Sequence, residues 1–236
     1  MKLNLARYPH FYYWIFPLVV VTTFVLFNHS GIPFLQHLIS PPINREFGLV
    51  ENLQLVMIAL LVYVSYRGIS SDKNLVENIG YGLLAAFFVV AFLEEIDYGI
   101  HYYEYFYNDG VEDKSITRNF HNQPGKLFYV RQFIIFTMVL VFVVLPLAKP
   151  YIKQPFLRHF CADRMIVYSF LVYLFISQLA RRLPQFEVNV NPSLKGNHQE
   201  FEELTSYYIM FLYLYELVFL KGKLLAKNSF KVVSSG

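Results

Sequence analysis

The chain has 236 residues, of which 56% are hydrophobic, 19% aromatic and only 16% charged. Soluble domains carry about 25% charged residues, so this composition argues against a water-soluble globule, and it excludes intrinsic disorder because so much apolar surface must be buried. The lone Cys161 excludes a disulfide scaffold and a cysteine-type zinc site, and a formal net charge of +3 with no long basic run leaves no footprint for nucleic acid.

Apolar runs of about 17–25 residues are candidate membrane helices, and six follow one another along the chain. The first covers 11–28 and holds no charge. Lys2 and Arg7 precede it as in a signal peptide, but no small-x-small cleavage site follows, so it reads as a retained span. The second covers 49–66, with Glu51 near its start. The third covers 79–100 and is clean until Glu94. The fourth, 127–147, opens with Arg131 and Gln132 in its first turns. The fifth, 165–183, ends on Arg181 and Arg182. The sixth, 204–220, is opened by Glu202 and Glu203 and holds Glu216, which snorkels or pairs with Lys221 five residues on. Lipid offers the backbone no hydrogen bonds, so such runs are helices. The expected fold is all-α: a polytopic membrane helix bundle of six spans in a single transmembrane domain, 1–236.

The connections differ by side. Residues 32–39 form a short apolar piece that fits the interface. Residues 102–126 and 184–200 read as polar loops, and Tyr102, Tyr103, Tyr105 and Tyr107 as an interfacial aromatic belt. Twelve of the 20 Lys and Arg fall on the side of the two termini, eight on the other. The positive-inside rule then puts both termini in the cytoplasm. Thirteen of the 17 acids collect on the outer side. Acids contribute little to topology, so that skew has another cause.

Charge enters the spans at one depth. Glu51, then Glu94, Glu95 and Asp97, then Arg131, then Arg181 and Arg182, then Glu202 and Glu203 bring five of six helices to the outer interface with ionisable groups. Such groups are costly in lipid, so they are expected to face inward as ion pairs or around a bound ion. Carboxylates beside a histidine suit acid–base chemistry. Arg131, Arg181 and Arg182 suit an anionic headgroup or phosphate. If the third helix runs far enough, Glu94, Asp97 and His101 share a face, with Asp97 and His101 one turn apart and able to bind one metal. The di-iron Glu-x-x-His, the His-Glu-x-x-His and the Gly-x-x-x-x-Gly-Lys patterns do not occur here.

Three stretches together resemble a group of multi-pass bacterial membrane proteins. Phe92-Leu93-Glu94-Glu95-Ile96-Asp97-Tyr98-Gly99 is similar to that group's Glu-Glu-Ile-Ser-Trp-Gly-Gln signature, with Asp97 in place of Ser, Tyr98 in place of Trp and Ile100 in place of Gln. Asn119-Phe120-His121-Asn122 resembles its Asn-Leu-His-Asn motif. Arg45-Glu46-Phe47-Gly48-Leu49-Val50-Glu51 resembles its Arg-Glu-Asp-Gly-x-x-Glu motif, with Phe47 in place of Asp. The matches cover about a third of the chain, in the group's order. The resemblance implies a bacterial inner-membrane protein whose functional core is Glu51, Glu94, Glu95, His121 and Asn122, and it implies no particular reaction. The paired glutamates also resemble those of CAAX-type intramembrane proteases, but Gly99 stands where that family has Arg, and Phe120-His121 lacks its Phe-x-x-x-His spacing.

Two functional readings stay open. In one, the protein is a membrane enzyme acting on a lipid, a lipid-linked sugar or an envelope peptide. Glu94, Glu95 and His121 are then its catalytic residues, and Arg131, Arg181, Arg182 and Asn122 contact the substrate. A divalent metal, if used, would draw on Glu51, Glu94, Glu95, Asp97, His101 and His121. In the other, the same charges form a structural or cation-binding cluster in a non-catalytic membrane subunit. A small transporter would call for internal repeats or mid-membrane broken helices, and the sequence displays neither. The expected partners are membrane lipids and another membrane protein or a second copy, with no nucleic acid.

Overall fold

The computed structural model describes residues 5, 7–41, 47–70, 73, 75–107, 127–186 and 198–221. Every regular element among them is helical. Four helices are long and apolar enough to cross a membrane: Phe11–Asn28, Leu49–Gly68, Leu75–Glu95 and Ile166–Leu183. A shorter apolar segment, Ile135–Tyr151, is a fifth apolar rod.

The first rod opens with a π-helical segment, Phe11–Ile15, and continues as α1, Phe16–Asn28. The short helix α2, Pro33–Ile39, follows. Then come α3, Leu49–Gly68, and α4, Leu75–Glu95. The chain breaks through a 3-10 turn, Asp97–Gly99, into α5, Ile100–Tyr107. The next rod is α6, Leu127–Val139, a π-helical segment, Leu140–Val144, and α7, Leu145–Ala148. The short α8, Pro155–Phe160, leads to α9, Ile166–Phe186. The last rod is α10, His198–Tyr215, with a π-helical end, Glu216–Lys221.

Two of the π segments have a common cause. Pro17 stands two residues beyond Phe11–Ile15, and Pro146 two residues beyond Leu140–Val144. A proline has no N–H to offer the carbonyl four residues earlier, and its ring crowds that carbonyl, so the preceding turn widens. For Pro17 that carbonyl belongs to Tyr13, and the Ser169 hydroxyl of α9 donates to it. A serine from a neighbouring helix thus satisfies backbone that lipid would not.

The bundle is organised around α10. One apolar cluster joins Tyr13, Met138, Phe142, Phe170, Ile209 and Leu212. A second joins Val21, Val25, Val50, Ile176, Phe201 and Leu204. A third joins Ile58, Leu61, Phe88, Leu214 and Leu217. Residues of α10 enter all three. At the opposite extreme, α4 buries Tyr81 and Phe88 and leaves Ile79, Leu83, Phe87 and Val90 more than half exposed. An apolar face that wide is what a helix turned to lipid presents. α3 and α4 meet closely at Gly68, where a Cβ would come within 2.4 Å of the Tyr81 ring. Their connection is braced by Asn78, which accepts from Ser70 N at 3.0 Å and donates to Ser70 O at 2.9 Å.

Several boundaries read from the sequence shift. The third helix runs from Leu75 to Glu95, not from 79 to 100. Its start reaches back because Glu77 is favourable in a first turn, where the backbone N–H groups point outward. Its end comes early because Asp97, Tyr98 and Gly99 take positive φ angles of 46°, 53° and 94°. Residues 100–107 are helical rather than loop, and Tyr102, Tyr103 and Tyr107 stand exposed there as a belt would. α9 passes through Pro184 to Phe186, since a proline in a last turn forfeits a single backbone bond. α10 begins at His198, six residues before the apolar run, with Glu200 in its first turn.

Candidate functional site

The acids at the Glu202 end of the bundle are held by partners from other helices. α9 and α10 lie side by side, and Glu202 points from α10 into their seam with 5% of its surface exposed. The Ser177 hydroxyl donates to Glu202 Oε1 at 2.8 Å, and Arg181 Nε donates to the same oxygen at 2.9 Å. Ser177 and Arg181 are one helical turn apart, so α9 offers a hydroxyl and a guanidinium to one carboxylate. Arg181 remains partly in solvent, while Arg182, next along, is exposed. Gln178, one turn before Arg181 and Arg182, faces outward; its neighbour Ser177 takes the inward place.

α3 approaches α10 from the other side. Glu51 and Gln54 are buried one turn apart on α3. Gln54 Nε2 donates to Glu200 O at 2.9 Å and to Glu200 Oε2 at 3.3 Å. Gln54 Oε1 is buried with no hydrogen-bond partner among the described residues. The paired glutamates of α4 diverge: the Tyr98 hydroxyl donates to Glu94, whereas the Tyr207 hydroxyl of α10 donates to Glu95 Oε1 at 2.7 Å. Asp97, just beyond the pair, is buried at 1% exposure in the left-handed turn.

That turn removes one expectation. Glu94, Asp97 and His101 would share a face only on a continuous helix, and the helix stops at Glu95, so the one-turn spacing of Asp97 and His101 does not apply. His121 and Asn122 lie outside the described residues, as do the side chains of His101 and Arg131. Among the described residues no group of three or more His, Cys, Asp or Glu is arranged to hold a metal ion.

Sequence reading named the charged residues but missed Ser177 and Tyr207 as their partners. Ser177 is 25 residues from Glu202, and Tyr207 is 112 from Glu95. No local spacing encodes such pairs. Their signal is a polar atom on the face of an otherwise apolar helix.

The opposite end holds a second buried cluster. Lys221 Nζ lies 2.9 Å from Glu216 Oε1 and also donates to the carbonyls of His159 and Cys161. Glu216 Oε2 accepts from Tyr13 Oη at 3.4 Å and from Asp163 N at 3.2 Å. Glu216 therefore pairs with Lys221 and fastens the first rod and the α8–α9 connection to the end of α10. Comparison with known proteins returns no matching family model, no matching curated protein and no matching solved structure.

Proposed function

We propose that the chain is a six-span protein of the bacterial cytoplasmic membrane, with both termini in the cytoplasm, and that it belongs with the multi-pass proteins its three motifs resemble. On this reading the Glu202 end is the outer interface. The site there takes the polar head of a lipid or lipid-linked envelope substrate, and Glu94 and Glu95 with His121 act on it as acid and base. The observation that carries this reading is the turn directly after the paired glutamates. Two consecutive non-glycine residues, Asp97 and Tyr98, are left-handed. Each costs on the order of 1–3 kcal/mol, and such strain concentrates at functional sites. The turn aims the exposed Tyr98 back at Glu94 and turns Asp97 inward.

A specific observation favours the second reading, a non-catalytic subunit. Glu95 and Glu202 already accept hydrogen bonds from neighbouring helices, as bundle-fastening groups would. The two readings separate experimentally. Glu95→Gln and His121→Ala membranes are compared with wild type for lipid and lipid-linked envelope species, and the purified proteins for bound metal and thermal stability. The enzymatic reading expects a substrate species to accumulate in both variants with stability little changed. Lowered stability in Glu95→Gln, with every lipid species and the metal content unchanged in both variants, establishes the subunit.

A further inference from the structure

A groove of about 260 Å³ lies on the outside of the bundle between the first rod and α9. Trp14 and Leu18 line one wall, and Tyr168, Leu171, Val172 and Phe175 the other. The bond from Ser169 to Tyr13 O fixes the register of the walls. It sets the aromatic pair Trp14 and Tyr168 toward the Glu216 end and Phe175 deeper in the span. Tyr168 to Phe175 covers seven residues, or about 10 Å at 1.5 Å per residue. Tyr168, Leu171 and Phe175 share one helical face, and all three stand about half exposed.

The mouth of the groove is basic. Arg164 stands four residues before Tyr168, in the turn that leads into α9, and Arg7 seven residues before Trp14, in the turn that leads into the first rod; both are exposed. The Arg7 guanidinium packs over the Tyr8 ring at 5.2 Å, and the Trp14 indole N–H donates to His10 Nδ1 at 3.2 Å. Asp163, beside Arg164, is also exposed and accepts from Met165 N through Oδ1 at 3.0 Å, so Arg7 and Arg164 outnumber it at this end. The order along the groove is therefore charge, amphipathic aromatic, then hydrocarbon. That order matches a phospholipid from phosphate to acyl chain.

The geometry points to a binding site for one anionic phospholipid, its acyl chain in the Trp14–Phe175 groove and its phosphate between Arg7 and Arg164. The site is on the opposite end of the molecule from Glu94 and Glu95, and it does not depend on their role.

Trp14 is the single tryptophan of the chain, so its fluorescence reports this groove alone. The protein is reconstituted into vesicles of unbrominated phosphatidylcholine containing either a brominated anionic phospholipid or brominated phosphatidylcholine at equal mole fraction. Bromine on the acyl chain quenches a tryptophan it touches. The expected result is stronger quenching by the anionic lipid. Arg164→Gln and Arg7→Gln should each lower that preference about fivefold, while Lys153→Gln on the same side leaves it unchanged. Equal quenching by both lipids overturns the proposal, because the groove then holds ordinary boundary lipid. Absence of quenching by either overturns it too, because protein then covers the groove. A preference that Lys153→Gln erases as fully as Arg164→Gln also overturns it, since a diffuse surface charge explains that outcome.

Discussion

α4 and α10 are both helices of one bundle, yet their compositions are inverted relative to simple expectation. α4 is among the most apolar and sits at the edge, packed mainly on α3. α10 carries Glu200, Glu202 and Glu203 and leads to Glu216, and it touches all three apolar clusters. Lipid tails are as apolar as leucine, so burying leucine against protein gains little over leaving it in lipid. Polar groups gain far more, because the interior supplies partners that lipid lacks. Apolarity therefore marks the helix turned to lipid, and paired polarity marks the helix in the middle.

That contrast is breakable. The largest effect is expected from Glu216→Ala, which strands Lys221 in a buried site; removing one member of such a pair costs about 3–5 kcal/mol. Unfolding of the detergent-solubilised protein by denaturant measures it, and a change below about 1 kcal/mol would show that the pair does not hold the centre. Gly68→Ala is next, at about 1–3 kcal/mol, because the new methyl meets the body of the Tyr81 ring and overpacks the α3–α4 contact. Glu202→Gln keeps an acceptor for Ser177 but loses the charge facing a half-exposed Arg181, so about 1 kcal/mol is expected. Phe87→Leu and Val90→Leu on the outer face of α4 should each stay within about 0.5 kcal/mol.

The mildest test is pH. His159 lies outside the long helices, and burial, then Lys221, holds its ring below the usual histidine range. The folded protein thus prefers the neutral ring, and the unfolded chain binds the proton more readily. Stability is expected to fall as pH drops below about 6.5 and to level off above it. His159→Gln should remove that component of the pH profile, and an unchanged profile would assign it to other groups.

The helical rods were legible where the physics is one-dimensional. The runs at 11–28, 49–66 and 165–183 correspond to Phe11–Asn28, Leu49–Gly68 and Ile166–Phe186, because a membrane helix needs only length and apolarity. The third run misled at its end, since Ile96 and Ile100 continue the apolar pattern while Asp97 and Tyr98 reverse the backbone. Pairing of Glu216 with Lys221 was readable at five residues' separation. The partners of Glu95, Glu200 and Glu202 were not, because they depend on which helices become neighbours. The charged residues could be counted along the chain; their partners could not.

The arrangement of α10 also bears on biosynthesis. On the six-span reading proposed above, α10 enters the bilayer after the other rods, and a helix with four glutamates along it enters poorly alone. Tyr13, Gln54, Glu95, Ser177 and Arg181, which answer its polar groups, are all made before it. The earlier helices thus form a half-built receptacle whose polar atoms wait for the last rod. On that reading, insertion of α10 and closure of the bundle are one event, and a lesion in any of its partners would show first as a failure of this rod to enter the membrane.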